Sequence, residues 1–563
     1  MLKIGPRYYS PPRYDPRSDT IFGRFNAKDD VPASLESIRA ACRNGVAAHE
    51  WCHWAQYGGT TIGCLYQISY SIKLHICAGL ALTLSGHKKI FSLSRDDSRL
   101  LLERTRLKEP LFRASAPLCH SGMFMALRIF FDRQLRFESW AVDHEDVGNR
   151  RMHFDELLLH LNFLLDSFRE PENLPTLLGD YLSHIESLRS IESQTNDEPI
   201  FGYRQDPPTL FQAGTKAIIE AQALCAQIIY LKKISYALST RIIYLKAKNS
   251  SSDMDQERSD VVRKNIRKLA RVKKIMRDCF VSNVGNEVIL WYIREVKNSS
   301  ARDISVLSDA DLSNIISGLS NADLSNIILI CNVSLDPIVP GAGIINSTDI
   351  LNIDPSCRLE RLLRGVRCGE ISKCSEILSS NRAKIIIGEM REWMGETKGR
   401  SFLTSVGKNP DKYSCDAFLE KTRRNYINHQ KLKNQDLAIY LSGSASDRLD
   451  IMAAGGFDSD IPLFSHPVRI GSYSYETSFP LDFLWSDSTD ANRLTANFFV
   501  RTALIYINQY IETGDLDVDL EYYYPSIANK ILDRKLILSS HFGEDFTAAD
   551  IISRIRKRVG HLQ

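Results

Sequence analysis

The segment TKAIIEAQALCAQIIYLKKISYAL, residues 215–238, constrains the fold more than any other part of the 563-residue chain. Apolar residues occur in every turn of it, which predicts a strongly apolar, buried helix. Glu220 is the only charged residue between Lys216 and Lys232. A buried carboxylate is costly unless something compensates its charge. We therefore expect Glu220 to bind a cation, or else to pair with a buried arginine or accept hydrogen bonds from glutamine side chains.

An earlier helical pattern begins near Asp29, Asp30 and Pro32, because acidic residues and proline favour the first turn of a helix. Its inward positions recur every three or four residues and therefore share one face of the helix. They are Leu35, Ile38, Cys42, Val46, His49 and His53. Both histidines are thus predicted to point towards the core, in the direction of the leucine and the isoleucine.

The remaining patterns predict a mainly α-helical protein that is α+β overall. Further helices are predicted at residues 62–76, 97–107, 120–135, 153–168 and 173–189. The sequence ADLSNII occurs twice, at residues 310–316 and 322–328, and predicts two short helical turns. Two copies are too few for a solenoid of stacked repeats.

A polar segment, residues 248–260, is predicted to be an exposed and flexible linker. It would separate an amino-terminal domain, residues 1–247, from a helical region, residues 261–375. Turn-rich segments interrupt residues 376–563, for which we expect a mixed α/β region that serves regulation or partner binding. The strands and helices predicted in that region lie at residues 384–388, 467–475, 490–513 and 546–558.

The five residues HEWCH, His49 to His53, place two imidazoles one helical turn apart on the same face, where both can bind one divalent ion. Glu50 follows the first histidine and can reach a water on that ion, which lowers the pKa of the water towards neutrality. The glutamate could then accept a proton as hydroxide attacks a carbonyl. The alternative is a pair of core histidines with satisfied hydrogen bonds, although burying two on one face costs desolvation unless something binds them.

A catalytic zinc site of this kind needs a third protein ligand. Metzincins place a glycine three residues and a histidine six residues after the second histidine, and here these positions are Gln56 and Gly59, which excludes that class. Gluzincins take a glutamate from a later helix. Glu220 fits this role, because the alanines beside it would let two helices approach closely. The polar stretch around His144 and Glu145 is an alternative source of a ligand or an acid.

The run His-Glu-Trp-Cys-His-Trp-Ala-Gln, residues 49–56, with Thr60, Thr61 and Gly63 after it, resembles a group of bacterial zincin-like proteins. Their helix has the pattern HE-aromatic-x-H-x-x-Q, and a later helix carries a Glu-Gly-x-Ala-like segment. Here that segment is Glu-Ala-Gln-Ala, residues 220–223, with alanine where glycine is common. The resemblance covers about residues 20–240 and implies a gluzincin-type metallopeptidase with a zincin-like helical catalytic domain. It implies nothing about the second half of the chain.

Several neighbours of the motif have predicted roles. Cys52 is expected to pack rather than to bind metal, and Trp51 and Trp54 are expected to line the core or a cleft. Peptidases of this type often use tyrosine or histidine to stabilise the oxyanion. The sequence does not choose among Tyr57, Tyr66, Tyr203 and Tyr230, and we take Tyr203 and Tyr230 as the working assignment.

The charge of the chain argues against nucleic-acid binding by the whole molecule, since 71 basic and 68 acidic residues give a net charge of only +3. Residues 261–277 form a local basic patch without acidic residues, but they lack the aromatic residues that stack on bases. We expect this helix to be a solvated outer face. No segment reaches the roughly 18 apolar residues of a membrane-spanning helix, and the 12 cysteines are scattered. These features predict a cytoplasmic protein with reduced thiols and no membrane partner.

Together these features predict a zinc-dependent hydrolase, specifically a metallopeptidase that acts on a protein or peptide substrate. His49, His53 and Glu220 would hold Zn²⁺, and Glu50 would be the general base. The alternative is a non-catalytic interaction protein with a structural metal site. In that case residues 261–277 and the carboxyl-terminal half would bind a regulatory protein or a nucleic-acid partner.

Overall fold

The computed structural model describes part of the chain, and the structural statements below concern that part. It comprises residues 13–15, 20–22, 38–69, 72, 154–170, 176–181, 183–185, 214–249, 256–297, 308–338, 352–375, 378–396, 417–443, 447, 465–470, 473–478, 537–538 and 546–547. The described residues are mainly α-helical, as the sequence predicts.

The helices are numbered here in chain order. They are α1 (Ile38–Gly59), α2 (Phe154–Arg169), α3 (Thr215–Asn249), α4 (Gln256–Ser282), α5 (Asn286–Lys297), α6 (Asp309–Gly318), α7 (Asn321–Leu335), α8 (Pro355–Cys368), α9 (Ser380–Trp393), α10 (Ala417–Gln435) and α11 (Leu437–Ser442). The described strands form antiparallel pairs: β1 (Arg13–Asp15) with β2 (Thr20–Phe22), β3 (Ser465–Ile470) with β4 (Tyr473–Ser478), and β5 (Ile537–Leu538) with β6 (Phe546–Thr547).

Helix α3 packs against α1, α4 and α7, so the apolar segment that dominates the sequence lies among three other helices. Residues 221–229 are all buried, as their composition predicts. Cys52 of α1 lies in one buried cluster with Ala223 and Ala226, which shows how small side chains bring α1 close to α3. Helix α3 also continues eleven residues beyond the predicted end at residue 238.

The two helices run antiparallel. A Cβ atom on Gly45, near the start of α1, would lie 3.3 Å from Leu231 Cδ2. Near the other end of α1, Gln56 Nε2 donates a hydrogen bond of 2.8 Å to the backbone oxygen of Ile219. Residue 45 of α1 thus lies beside residue 231 of α3, and residue 56 lies beside residue 219, so the two helices run in opposite directions. The histidines of α1 lie beside Glu220, near the start of α3.

Helices from both sides of the predicted linker contact each other. Helix α3 enters the segment 248–260 as far as Asn249, and α4 begins inside it at Gln256. Helix α3 packs both on α4 and on the later helix α7. Residues 250–255 lie outside the described residues. The division of the chain into domains at 1–247, 261–375 and 376–563 stays a prediction.

A buried charge network holds the carboxyl-terminal end of α1. Lys433 and Gln430 of α10 both donate hydrogen bonds to the backbone oxygen of Gly59. Asp336, which follows α7, accepts two hydrogen bonds of 3.0 Å, from the backbone N–H and the hydroxyl of Thr61. The other oxygen of Asp336 lies 3.4 Å from Lys433 Nζ and 3.0 Å from Arg391. A cation at a helix carboxyl terminus complements the helix dipole, so these contacts stabilise the end of α1.

The predicted strand at residues 384–388 is wrong, because these residues lie inside α9. The side chain of Ser379 accepts a hydrogen bond from the first turn of this helix. Ala383, Ile386 and Met390 are buried and recur at spacings of three and four residues. This helical period outweighs the β-propensity of the isoleucine run.

Two further helix predictions are confirmed where the structure describes them. Helix α2 confirms the helix predicted at 153–168, and residues 176–181 and 183–185 are helical within the predicted 173–189. The two ADLSNII copies lie in α6 and α7. Both helices begin with the same capping box, in which a serine (308 or 320) and an aspartate three residues later satisfy each other's backbone N–H.

The remaining predictions fall partly outside the described residues. Strands β3 and β4 occupy most of the stretch around 467–475 that was predicted to be one strand. The first two residues of the helix predicted at 546–558 form β6. Residues 29–37, 97–107, 120–135, 490–513 and 548–558 lie outside the described residues. No helix among the residues that the structure describes combines the length and the hydropathy needed to cross a membrane, and the cytoplasmic location stays a prediction.

Candidate metal centre

Helices α1 and α3 bring His49 and His53 together with Glu220, which lies more than 160 residues further along the chain. The Nε2 atoms of His49 and His53 are 3.0 Å apart. His49 Nε2 lies 3.3 Å from Glu220 Oε2, and His53 Nε2 lies 3.6 Å from Glu220 Oε1. One ligand atom from each residue lies within 4.8 Å of the other two. Among the described residues, these three side chains form the cluster whose spacing could hold a metal ion.

The placement of the three follows from the packing of the two helices. The i, i+4 spacing puts both imidazoles on the face of α1 that meets α3, and His49 and His53 are only 9% and 8% exposed. Glu220 lies in the second turn of α3 and is half-buried. Since the helices are antiparallel and small side chains separate them, the carboxylate comes level with both rings.

The electrostatics of the cluster favour a charged Glu220 carboxylate beside a neutral His53 imidazole. Burial, and then the neighbouring His49, lower the pKa of His53 below its usual value, although Glu220 and Glu50 act in the opposite direction. Burial alone would raise the pKa of Glu220, but its hydrogen bond to His49 and its interaction with His53 outweigh burial and bring that pKa to about 2. At neutral pH Glu220 is therefore an anion and the lowered pKa of His53 favours its neutral, lone-pair-bearing form, which are the protonation states that metal binding requires.

The partners of Glu220 bear on the alternative explanations for a buried glutamate. Among the described residues Glu220 forms ion-pair contacts with His49 and His53, and none with an arginine or a lysine. Asn283 Nδ2 donates a hydrogen bond of 2.8 Å to Glu220 Oε2. Neither the arginine nor the glutamine partner that the sequence left open is thus seen in the described part of the chain. Its carboxylate oxygens lie instead within 3.6 Å of the Nε2 atoms of both histidines, an arrangement that a shared cation could bridge.

The turn between α4 and α5 supports Glu220, and sequence reasoning missed it. Asn283 is itself oriented, because its Oδ1 accepts a hydrogen bond of 2.7 Å from the backbone N–H of Gly285. A Cβ atom on Gly285 would lie 2.3 Å from the backbone nitrogen of Ala221 and 2.5 Å from the carbonyl carbon of Glu220. The turn therefore needs a glycine in order to approach α3. The segment SNVGN, residues 282–286, indicates a turn, but nothing in the sequence pairs it with Glu220.

Glu50 occupies the position expected of a base that is not a ligand. It follows His49 directly on α1, it is half-buried, and its charge raises the pKa of His53. It is therefore close enough to the cluster to interact with it. Its carboxylate is not one of the three grouped ligand atoms.

The structure describes three of the four tyrosine candidates for oxyanion stabilisation. Tyr230 is half-buried and lies beside Gly45, one helical turn before His49, since a Cβ atom on that glycine would be 3.6 Å from the Tyr230 ring. Tyr57 and Tyr66 pack on each other with ring centroids 6.0 Å apart. Tyr203 and the reserve residues His144 and Glu145 lie outside the described residues. Tyr57 lies one helical turn after His53 and Tyr230 lies beside the turn before His49, so both are candidates among the described residues.

The other residues of the motif pack in the core. Cys52 is 1% exposed in its cluster with α3 alanines, and Trp51 is 1% exposed. Trp51 and Trp54 meet edge to face with ring centroids 5.2 Å apart. Trp54 also contacts His429 of α10, on the side of α1 that faces away from the two histidines. These contacts agree with the packing roles predicted for Cys52 and the tryptophans.

The chemistry of the donor set fits a transition metal. Two imidazole nitrogens and one carboxylate oxygen form the ligand set of catalytic zinc sites, which keep a further position for water or substrate. Magnesium and calcium prefer oxygen ligands throughout. Comparisons of the chain with protein-family models, with curated proteins and with solved structures found no match.

Proposed function

We propose that this protein is a zinc-dependent hydrolase, and specifically a metallopeptidase of the gluzincin type with a zincin-like helical catalytic domain. His49, His53 and Glu220 hold the ion, and Glu50 is the general base. The observation that supports this proposal is the convergence of the three side chains from α1 and α3, with the Nε2–Nε2 distance of 3.0 Å and the carboxylate within 3.6 Å of both rings.

Each residue then has one task in peptide hydrolysis. Zinc bound at this site would acidify a water molecule and polarise the scissile carbonyl. Glu50 accepts the proton from the attacking water and passes it to the leaving amine. Asn283 holds the Glu220 carboxylate through a 2.8 Å hydrogen bond. Tyr230, whose ring lies beside Gly45, would donate to the oxyanion.

A different function is favoured by the surface of α4. Its basic residues form a largely exposed face, and Ile266 is 44% exposed among them. In this second candidate the metal is structural, and α4 with the carboxyl-terminal half binds a protein or a nucleic-acid partner. A fourth protein ligand would favour this candidate, whereas a coordinated water would favour the hydrolase.

The two candidates differ in what Glu50→Gln does. In the hydrolase this variant keeps its zinc, measured by elemental analysis after dialysis, but loses cleavage of a peptide library scored by mass spectrometry. Glu360→Gln is a matched control, because Glu360 is a surface residue of α8 that pairs with Arg364 at 3.4 Å. Undiminished cleavage by Glu50→Gln would refute the assigned base. A zinc-loaded parent protein that cleaves nothing, while α4 variants lose partner binding, would support the second candidate.

A further inference from the structure

Gln56, one turn after His53 on α1, connects that histidine to the helix that carries Glu220. Its Oε1 lies 3.0 Å from His53 Nδ1. Its Nε2 donates two hydrogen bonds of 2.8 Å, to the backbone oxygen of Ile219 and to Oε1 of Gln222. Gln56 is 2% exposed, so these contacts account for its polar atoms within a buried environment.

The two acceptors on α3 fix which way the Gln56 amide points. A backbone carbonyl oxygen can only accept, so the atom of Gln56 that faces Ile219 must be the NH₂ group. Its carbonyl oxygen must then face His53. Because a carbonyl oxygen also can only accept, His53 Nδ1 has to carry the hydrogen. In a neutral imidazole the other nitrogen, Nε2, is then left with a lone pair, and this is the atom that faces His49 and Glu220.

His49 has no comparable support. Its Nδ1 is buried and has no hydrogen-bond partner among the residues that the structure describes. The two ligands are therefore not equivalent: Nδ1 of His53 is hydrogen-bonded to Gln56, whereas Nδ1 of His49 has no such contact among the described residues. The support of His53 comes from Ile219 and Gln222, which flank Glu220 on α3, so one helix both supplies the carboxylate and orients the opposing ring.

We propose that Gln56 is a positioning residue that holds His53 in the Nδ1–H tautomer, with its Nε2 lone pair directed at the cation site. The consequence for zinc binding rests on the proposed function, but the tautomer itself does not. Residues that orient a metal-binding histidine in this way raise metal affinity about 10–100-fold. Gln56 thereby makes the affinity of the site depend on the register between α1 and α3.

The first test measures zinc affinity by competition with a chromophoric chelator. Gln56→Met keeps the length of the side chain and removes both polar groups, and we expect affinity to fall about 10–100-fold. Gln222→Met is the matched control, because Gln56 can still donate to Ile219 and its oxygen still faces His53. We expect this control to bind zinc nearly as tightly as the parent. Equal affinities for the parent and Gln56→Met would overturn the proposal.

A third variant separates positioning from packing. Gln56→Glu keeps an acceptor for His53 Nδ1–H but puts a carboxylate against the Ile219 oxygen. If Gln56 only fills space, the buried charge of Gln56→Glu should disturb the site and lower zinc affinity more than Gln56→Met does. If Gln56 positions His53, Gln56→Glu should bind zinc more tightly than Gln56→Met. The reverse order would overturn the proposal.

The second test needs no metal. Histidine labelled with ¹⁵N is incorporated into the full chain, and the His53 ring signals are assigned by comparison with His53→Asn. Their chemical shifts in zinc-free protein should show a protonated Nδ1 and a bare Nε2 in the parent, and mixed tautomers in Gln56→Met. An Nε2–H tautomer in the parent would overturn the proposal. A parent that shows the expected tautomer but binds no zinc would instead refute the proposed function and leave the role of Gln56 intact.

Discussion

Replacing Gly285 with alanine tests whether the turn between α4 and α5 supports the metal centre. The added Cβ would lie 2.3 Å from the backbone nitrogen of Ala221 and 2.5 Å from its Cα. Since comfortable contacts are about 3.5 Å, the turn would have to retreat by roughly 1 Å. A retreat of that size would stretch the 2.8 Å hydrogen bond from Asn283 to Glu220 beyond hydrogen-bonding distance.

Two measurable losses follow from Gly285→Ala. Overpacking against a backbone that cannot rotate away should lower the free energy of unfolding by about 1–3 kcal/mol. Zinc affinity should fall as well, because Glu220 loses the donor that orients it, and the loss should be in the about 10–100-fold range of outer-shell changes. Urea denaturation followed by circular dichroism measures the first quantity, and chelator competition measures the second.

Gly388→Ala provides a matched control for this prediction. Gly388 lies inside α9, and a Cβ atom there would have no neighbour within 4 Å. The same substitution should therefore raise the free energy of unfolding by about 0.5–1 kcal/mol, since alanine is the better helix former. It should leave zinc affinity unchanged. If Gly285→Ala behaved like Gly388→Ala in both assays, the close approach of the turn to α3 would be refuted.

Three further predictions concern the ligands and the buried charges. Glu220→Ala should weaken zinc binding by more than the about 10–100-fold of outer-shell losses, measured by chelator competition; unchanged affinity would place the third ligand elsewhere. Asp336→Asn should leave Lys433 buried without its anion and lower the free energy of unfolding, measured by urea denaturation, by about 3–5 kcal/mol. A decrease below about 1 kcal/mol would contradict a stabilising pair. Although burial raises the pKa of Asp336, Lys433 and Arg391 outweigh it and lower that pKa below 3.8. Its contribution is therefore present above pH 3.8 and is lost as the pH falls through the lowered pKa, so Asp336→Asn should flatten the acid limb of the stability curve.

The helices and the three-residue cluster could be predicted from the sequence because their signals are local. His49 and His53 share a face through the helical period alone. Glu220 stands out because its neighbours are apolar over a long interval. The contact between the two helices depends on alanines that are small enough to let α1 and α3 meet.

The supporting residues could not be predicted, because their roles arise only from tertiary contacts. Asn283 reaches Glu220 across 63 positions of sequence, and Gln56 reaches Gln222 across 166. A single sequence carries no record of which polar side chains meet at such separations. The wrong strand at 384–388 has a different cause: three consecutive isoleucines match a strand locally, and the period of the buried Ala383 and Ile386 is visible only over a longer window.

The carboxyl-terminal helices contribute to the site even though they supply none of the three grouped side chains. Helix α1 ends three residues after Gln56, and its end is held by groups from α10 and from the residue after α7. Gly59 accepts from Lys433, and Thr61 donates to Asp336. A buried lysine and a buried aspartate are tolerated there because each satisfies the other and a helix end. Residues after position 330 thus anchor the helix that carries the motif, so the motif cannot be treated as a unit separate from the second half of the chain.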